Sequence, residues 1–229
     1  MDLYKKFHIS IGSNIGDKLE NIQSSLDLIH SRIACFTAIS SVYESESIGF
    51  DGDDFYNICA SFFSNISPHL VMQQLLEIEK TLGRNRSDET KYISRIIDID
   101  ILLIEDLVID SEELKVPHPE MCNRRFVMEP LIEIDPNLIH PVSKVSLKEI
   151  YEAFDQNQKI QKKDLVLNNP GNQLSITNYN YIAIEGNIGS GKTSLSKQIS
   201  ADFNNKLMLE RYIDTVSYTH LTLPTILLV

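Results

Sequence analysis

A chain of 229 residues, 42% hydrophobic and 23% charged, has room for one sizeable globular domain or two small ones. Its net charge of −11 excludes a general binder of nucleic acid or of anionic membranes. There is no signal-type apolar segment at the N-terminus and no apolar run near the ~20 residues of a membrane span, so a cytoplasmic protein is expected.

Lys5 to Ile11 alternates polar and apolar residues, with Phe7, Ile9 and Ile11 on one face, and predicts a first strand. Gly12 to Asp17 is a tight loop whose last residue suits a helix N-cap. Leu19, Ile22, Leu26 and Ile29 then recur at helical spacing, to about Ser31. Cys35 to Glu46 is β-rich and becomes polar at its end. A turn-rich loop from Gly49 to Asp53 leads into an apolar strand from Phe55 to Phe63. Pro68 opens a second helix, with Leu70, Leu75, Ile78 and Leu82 as its apolar stripe. Gly83 to Ser94 is polar, basic and unpatterned, and reads as a mobile loop delivering Arg84 and Arg86. The three cysteines, Cys35, Cys59 and Cys122, lack CxxC spacing and read as buried small hydrophobes in a reducing compartment.

The next stretch, RIIDIDILLI from Arg95 to Ile104, organises the chain. Seven of its ten residues are Ile or Leu, as in a strand buried within a sheet. Asp98 and Asp100 interrupt it, two residues apart and therefore on one face, roughly 6.6 Å from each other at the rise of a strand. Buried carboxylates this close need compensation. A divalent cation such as Mg²⁺, shared with phosphate oxygens, would supply it; so would a salt bridge to Arg95 or exposure at the sheet end. Five of the seven arginines (Arg84, Arg86, Arg95, Arg124 and Arg125) fall between positions 84 and 125, which favours a phosphorylated ligand near the acid pair.

After that strand come a short strand near Leu107 to Ile109, a turn at Val116 to Pro119, a helix from about Asn123 to Ile132 and another from Ser146 to Phe154. The order β-α-β-β-α-β predicts an α+β fold with a ferredoxin-like core and extra C-terminal helices. Asp155 to Asn180, rich in Gln, Asn and Lys, reads as a linker. Tyr181 to Ile184 is a new strand leading into Gly186 to Thr193, then a helix to about Phe203 and a strand at Leu207 to Leu209, a partial β-P-loop-α unit.

The stretches IGSNIGD (11–17), FYN (55–57), GRNR (83–86), RIIDIDIL (95–102), VPH (116–118) and NRRF (123–126), together with the polar end of the second strand, stand in one order along the first part of the chain. In this the chain resembles the 6-hydroxymethyl-7,8-dihydropterin pyrophosphokinases of folate biosynthesis. The resemblance covers residues 7 to about 155. It implies transfer of pyrophosphate from ATP to the hydroxymethyl oxygen of the pterin, with release of AMP. It further implies that Asp98 and Asp100 bind two Mg²⁺ ions on the triphosphate, with Arg84, Arg86 and Arg95 also catalytic. ATP contacts fall on Glu79, Arg84, Arg95, His118 and Arg124, and pterin contacts on Ser45, Ile48, Phe55, Asn57 and Phe126. A surface position on the helix remains the plainer alternative for Glu79, and a place in the core for Phe126. The partners implied are the two small-molecule substrates and other folate-pathway enzymes, with neither nucleic acid nor membrane. Tyr92-Ile93-Ser94 stands where many relatives carry Trp-Gly-Pro, which leaves the closure of the arginine loop open.

Gly186 to Thr193 also satisfies G-x-x-x-x-G-K-S/T between a predicted strand and helix. Its backbone N–H groups would cradle phosphates, with Lys192 reaching the β and γ phosphates and Thr193 a magnesium ion. The wording IEGNIGSGKTS, with Gly186, Gly191, Lys192 and Thr193, is similar to deoxynucleoside kinases, and the resemblance makes Glu210 the candidate base. Only 36 residues follow Thr193, fewer than an α/β domain needs. The ending VSYTHLTLPT resembles a translated sequencing adaptor. The expected organisation is therefore a pyrophosphokinase domain at 1–158, a linker at 159–179, a truncated kinase-like segment at 180–215 and a non-native tail at 216–229. Two rival readings are a deoxynucleoside kinase as the main role and a non-catalytic nucleotide-binding module.

Overall fold

The alternating residues at the N-terminus form β1 (Lys5–Ser13), whose Phe7, Ile9 and Ile11 are fully buried. This computed structural model describes residues 4–47, 52–84, 94–153, 158–173, 181–184, 191–202, 206–208 and 225–228. The described residues fall into two compact units, Met1–Gly171 and Asn172–Val229.

In the first unit, α1 (Lys18–Arg32) starts where Asp17 accepts a hydrogen bond from the Glu20 N–H at 3.1 Å, the expected N-cap. β2 (Phe36–Ile39) and β3 (Tyr43–Ser45) occupy the stretch read as a single strand. They separate at Ser40, whose N–H donates to the Cys59 carbonyl and whose Oγ accepts from the Cys59 N–H at 3.0 Å. A side chain thus replaces a backbone acceptor in the ladder, and the strand restarts beyond it. β4 (Phe55–Ser64) follows, then α2 (Pro68–Thr81), capped by Ser67 with Pro68 in its first turn. The acidic strand is β5 (Asp98–Ile104), so Arg95 precedes the strand instead of opening it.

β6 (Ile109–Asp110) and β7 (Lys115–Val116) form a small hairpin. A 3₁₀ turn (Met121–Asn123) precedes α3 (Arg125–Ile134), and α4 (Leu147–Glu152) closes the helical set. The expected helix at Asn123 to Ile132 therefore begins two residues later. The expected linker also needs correction: residues 160–162 form β8 (Ile160–Lys162), which pairs antiparallel with β3. Gln23 and Asn168 then exchange two hydrogen bonds between side chain and backbone, which holds the following residues against α1.

The sheet runs β5-β1-β4-β3-β8, with β2 also on β4 and every pairing antiparallel. One face packs Phe7, Ile9 and Ile11 against Ile22, Leu26 and Ile29 of α1 and Val71, Leu75 and Ile78 of α2. Phe7 stacks on Phe62 with ring centroids 5.3 Å apart. The other face packs Cys59 and Leu103 against Val127, Met128 and Leu131 of α3 and Leu147 of α4. Cys59 is buried as expected, whereas Cys35 is exposed and Cys122 half-buried. Among the described residues no helix is long and apolar enough to cross a membrane.

The second unit holds β9 (Tyr181–Ile184), α5 (Lys192–Asp202), β10 (Lys206–Met208) and β11 (Thr225–Leu228). Its sheet runs β10-β11-β9, so residues 225–228, set aside above as part of a foreign tail, form its middle strand.

Candidate active site

β1 carries the centre of the site. Gly12 lies opposite Asn57 of β4 and opposite Asp98 of β5, so the strand pairing aligns an amide, a bare backbone and a carboxylate across three strands. The glycine spares that amide a tight contact, because a Cβ at position 12 would stand 3.1 Å from Asn57 Oδ1. Asp100 lies opposite Ser10, one pleat along and on the same face as Asp98.

A cavity of about 290 Å³ opens over this row. Its lining brings together Asp98, Asp100, Arg95 and Arg124 with Ser45, Phe55, Asn57 and Phe126. Glu120, Asn123 and Gln158 complete the rim near α3. Asn57 Nδ2 donates to Ser45 Oγ at 3.0 Å, which fixes the amide within the sheet. The Arg124 guanidinium lies 5.9 Å from the centroid of the Phe126 ring, so charged and aromatic groups of the lining touch.

The acid pair is asymmetric. Asp98 Oδ1 is ion-paired with Arg84 Nη1, and Asp98 Oδ2 with Arg95 Nη1 at 2.6 Å. Asp100 Oδ2 is farther from its cations, 3.9 Å from His118 Nε2 and 4.0 Å from Arg124 Nη1. Burial raises the Asp98 pKa, but Arg84 and Arg95 outweigh it and hold the carboxyl below its usual range. Burial and then the Asp98 charge push Asp100 above it, which His118 and Arg124 only partly offset. Burial also lowers the His118 pKa against the pull of Asp100. Asp100 thus stands beside a second carboxylate, with its nearest cations at 3.9 and 4.0 Å.

The donor set fits a magnesium ion that shares its shell with phosphate. Among the described residues no three His, Cys, Asp or Glu side chains gather as a metal site. Mg²⁺ is content with one or two carboxylates when substrate oxygens and water fill the rest. Asp98 and Asp100, partly buried and lining the cavity, would provide those two.

The ring of supports is only partly as expected. Glu79 is neither a helix-surface residue nor part of the cavity lining. It is 1% exposed, its Oε1 receives Arg84 Nη1 at 2.7 Å, and the same oxygen accepts the Ile99 N–H at 2.8 Å. Arg84, read as part of a mobile loop, is buried at its start and bridges Glu79 to Asp98. Asn14 was not singled out, yet it organises three segments. Its Oδ1 accepts the Arg95 N–H at 2.6 Å, and its Nδ2 donates to Ser94 Oγ and the Asp53 carbonyl, each at 3.1 Å. Ile48, Arg86, Tyr92, Ile93, Gly186 and Glu210 lie outside the described residues. Gly191, Lys192 and Thr193 belong to the second unit, where Gly191 has φ +83 and α5 starts at Lys192.

The model of one protein family, 7,8-dihydro-6-hydroxymethylpterin-pyrophosphokinase, matches residues 8–136. The chain belongs to this family. Its relatives include a 2-amino-4-hydroxy-6-hydroxymethyldihydropteridine pyrophosphokinase of Aquifex aeolicus, 37% identical over 143 residues, or 62% of this chain and 88% of that protein. The enzyme of the same name from Bacillus subtilis is 37% identical over 129 residues, 56% of this chain and 76% of the relative. The Dictyostelium discoideum folic acid synthesis protein FOL1 is 35% identical over 141 residues, but the chain spans only 21% of its length. Among solved structures, Plasmodium falciparum HPPK-DHPS with SDX-DHP superimposes with a TM-score of 0.54 at 13% identity, over 66% of this chain and 44% of that one. That likeness speaks for the fold alone. Every described residue of the candidate site lies within the family's matched span except Gln158.

Proposed function

We infer that the first unit catalyses ATP-dependent transfer of pyrophosphate to the hydroxymethyl group of 6-hydroxymethyl-7,8-dihydropterin, with release of AMP. The observation that carries this is the sharing of one cavity by an acid pair with arginines and by an amide with an aromatic ring. The hydroxymethyl oxygen forms a bond to the β-phosphorus of ATP, the bond from that phosphorus to the α–β bridging oxygen breaks, and the hydroxyl proton is released. Arg84, Arg95 and Arg124 bind and orient the triphosphate, while Asn57, Ser45, Phe55 and Phe126 hold the pterin. We assign His118 to the phosphate side and Glu79 to the support of Arg84. Asp98 and Asp100 would hold two Mg²⁺ ions, whose chemistry is charge neutralisation on the triphosphate. Catalysis of this kind rests on positioning and electrostatics, with little covalent chemistry asked of side chains.

The strand order β5-β1-β4-β3 supports the split-βαβ, ferredoxin-like reading of the core. We further propose that residues 180–215 are a deoxynucleoside-kinase-like phosphate-loop segment fused to the first unit. The left-handed Gly191 immediately before α5 supports that reading. We place the protein in the cytoplasm, with other folate-pathway enzymes as partners.

One assay separates these readings. The chain is incubated with ATP and Mg²⁺, once with the reduced pterin and once with deoxynucleosides. AMP that depends on pterin supports the pyrophosphokinase; ADP that depends on a deoxynucleoside supports the second segment as the active part. Neither product would leave a non-catalytic nucleotide-binding module.

A further inference from the structure

We propose that Gln158 is a positioning residue for pyrophosphoryl transfer, acting through the backbone on both sides of Arg124. The inference rests on the pyrophosphokinase reading of the cavity. Gln158 stands 22 positions beyond the family's matched span, in a stretch whose composition suggests only a linker.

A helix leaves its first N–H groups without intrahelical acceptors, and the usual remedy is Ser, Thr, Asp or Asn at the N-cap. α3 departs from this. Its N-cap is Arg124, which makes no capping hydrogen bond with its side chain. The cap comes instead from Gln158, whose Oε1 accepts the Arg125 N–H at 2.9 Å. The Nε2 of the same amide donates to the Asn123 carbonyl at 3.0 Å. These two bonds fix the amide's orientation, because the flipped form would set oxygen against oxygen and donor against donor. Arg125 Nη1 returns a bond to the Gln158 carbonyl at 3.2 Å, and Arg125 Nε is itself held by Tyr151 and Glu129.

The clamp thus closes on residues 123 and 125 and leaves the Arg124 side chain to the site, with Asp100 at 4.0 Å and the Phe126 ring at 5.9 Å. An ordinary capping residue at 124 would supply the hydrogen bond and lose the guanidinium. Delegating the cap to position 158 keeps both. Two residues on, Ile160 pairs with Ser45, the residue whose hydroxyl holds the Asn57 amide. The same short strap therefore sets the entry of α3 and the edge strand beside the pterin subsite. A purely structural cap would stabilise α3 without affecting how substrates bind; a clamp around Arg124 must affect both substrates, since the proposed function gives Arg124 to the triphosphate and Phe126 to the pterin, and both line the cavity.

The test compares the full-length wild type with Gln158→Ala, Gln158→Glu and, as a control on exposed β8, Gln161→Ala. Thermal midpoints and pterin-dependent AMP formation are measured over ranges of both substrates. Gln158→Ala should raise KM for both pterin and ATP by about tenfold with a smaller change in kcat, as small displacements of positioned groups do. Gln158→Glu keeps the acceptor and sets a negative charge at a helix N-terminus, so it should recover much of the loss. Gln161→Ala should match the wild type. Unchanged KM values in Gln158→Ala overturn the proposal, as does a fall in kcat alone that follows the folded fraction. If Gln158→Ala does not fold, Gln158→Met, which keeps the bulk and loses both amide bonds, takes its place: raised KM values for both substrates support the proposal and wild-type values overturn it. A wild type that forms no AMP defeats the pyrophosphokinase reading instead. The clamp is then decided by hydrogen exchange: faster exchange of the Arg125 amide in Gln158→Ala, with Met128 unchanged, supports it, and equal exchange refutes it.

Discussion

Gly12 joins Asp98 to Asn57 in the cavity lining, since the row Asp98, Gly12, Asn57 crosses three strands. A methyl group there meets Asn57 Oδ1 at 3.1 Å, and that amide is already tied to Ser45. Gly12→Ala should therefore raise KM for the pterin several-fold while nucleotide affinity, measured by calorimetry, changes little; the reverse pattern would move Asn57 out of the pterin subsite. Asp100 has its nearest cations, His118 and Arg124, at 3.9 and 4.0 Å, farther than those of Asp98. Asp100→Ala should lower kcat by at least ~10³ through loss of charge stabilisation at the triphosphate, and near-normal single-turnover rates would refute that role. The acid pair was legible in the sequence because two carboxylates in an apolar run are conspicuous and a period of two puts them on one face. The role of Glu79 was not read, although a signal existed: position 79 continues the helical stripe of Leu75, Ile78 and Leu82. A carboxylate on an apolar stripe implies a buried partner, and Arg84 is that partner.

At the scale of elements, α2 and α3 hold the two sides of the site against the sheet. Leu75 of α2 is fully buried, so Leu75→Ala should cost about 2–5 kcal/mol of stability in urea titrations. A smaller loss would mean that the helix repacks. The other end of the sheet depends on charge. Glu133 of α3 accepts hydrogen bonds from Lys162 of β8, from Ser41 and from Tyr43 of β3. Burial raises its pKa, but these bonds prevail and hold it below the usual carboxylate value. A lowered folded-state pKa gives stability that is present above the unfolded value, about 4.3, and is lost as pH falls through the folded one. The stability gap between wild type and Glu133→Gln should thus be constant at neutral pH and shrink below about pH 4; a gap that widens in acid would contradict the assignment. The strand β8 that this network anchors was invisible to pattern reading. Three residues, mostly exposed, show no alternation, and only the unpaired edge of β3 gives them a reason to be a strand. β2 and β3 were merged for a similar reason, since the side chain of Ser40 and not its type of residue breaks the ladder.

For the molecule as a whole, a net charge of −11 coexists with a cavity lined by Arg95, Arg124 and two carboxylates, with Arg84 buried behind Asp98. The arginine cluster in the sequence anticipated this, because charge density along a chain survives folding when the residues flank one strand. The α+β class and the order of the long elements β1, α1, β4, α2 and β5 were equally legible, from their periods or, for β5, from its apolar run. The second unit was legible only as a motif between a strand and a helix, and the pairing of β11 with β9 could not be read from residues set aside as foreign. The reaction transfers two phosphoryl groups together to an alcohol. The direct measurement is to supply ATP labelled at the β-phosphate, Mg²⁺ and the reduced pterin to the full chain, and to separate the products. The label should move to the pterin, with unlabelled AMP in equal amount; label retained in ADP, or no transfer to the pterin at all, would contradict pyrophosphoryl transfer.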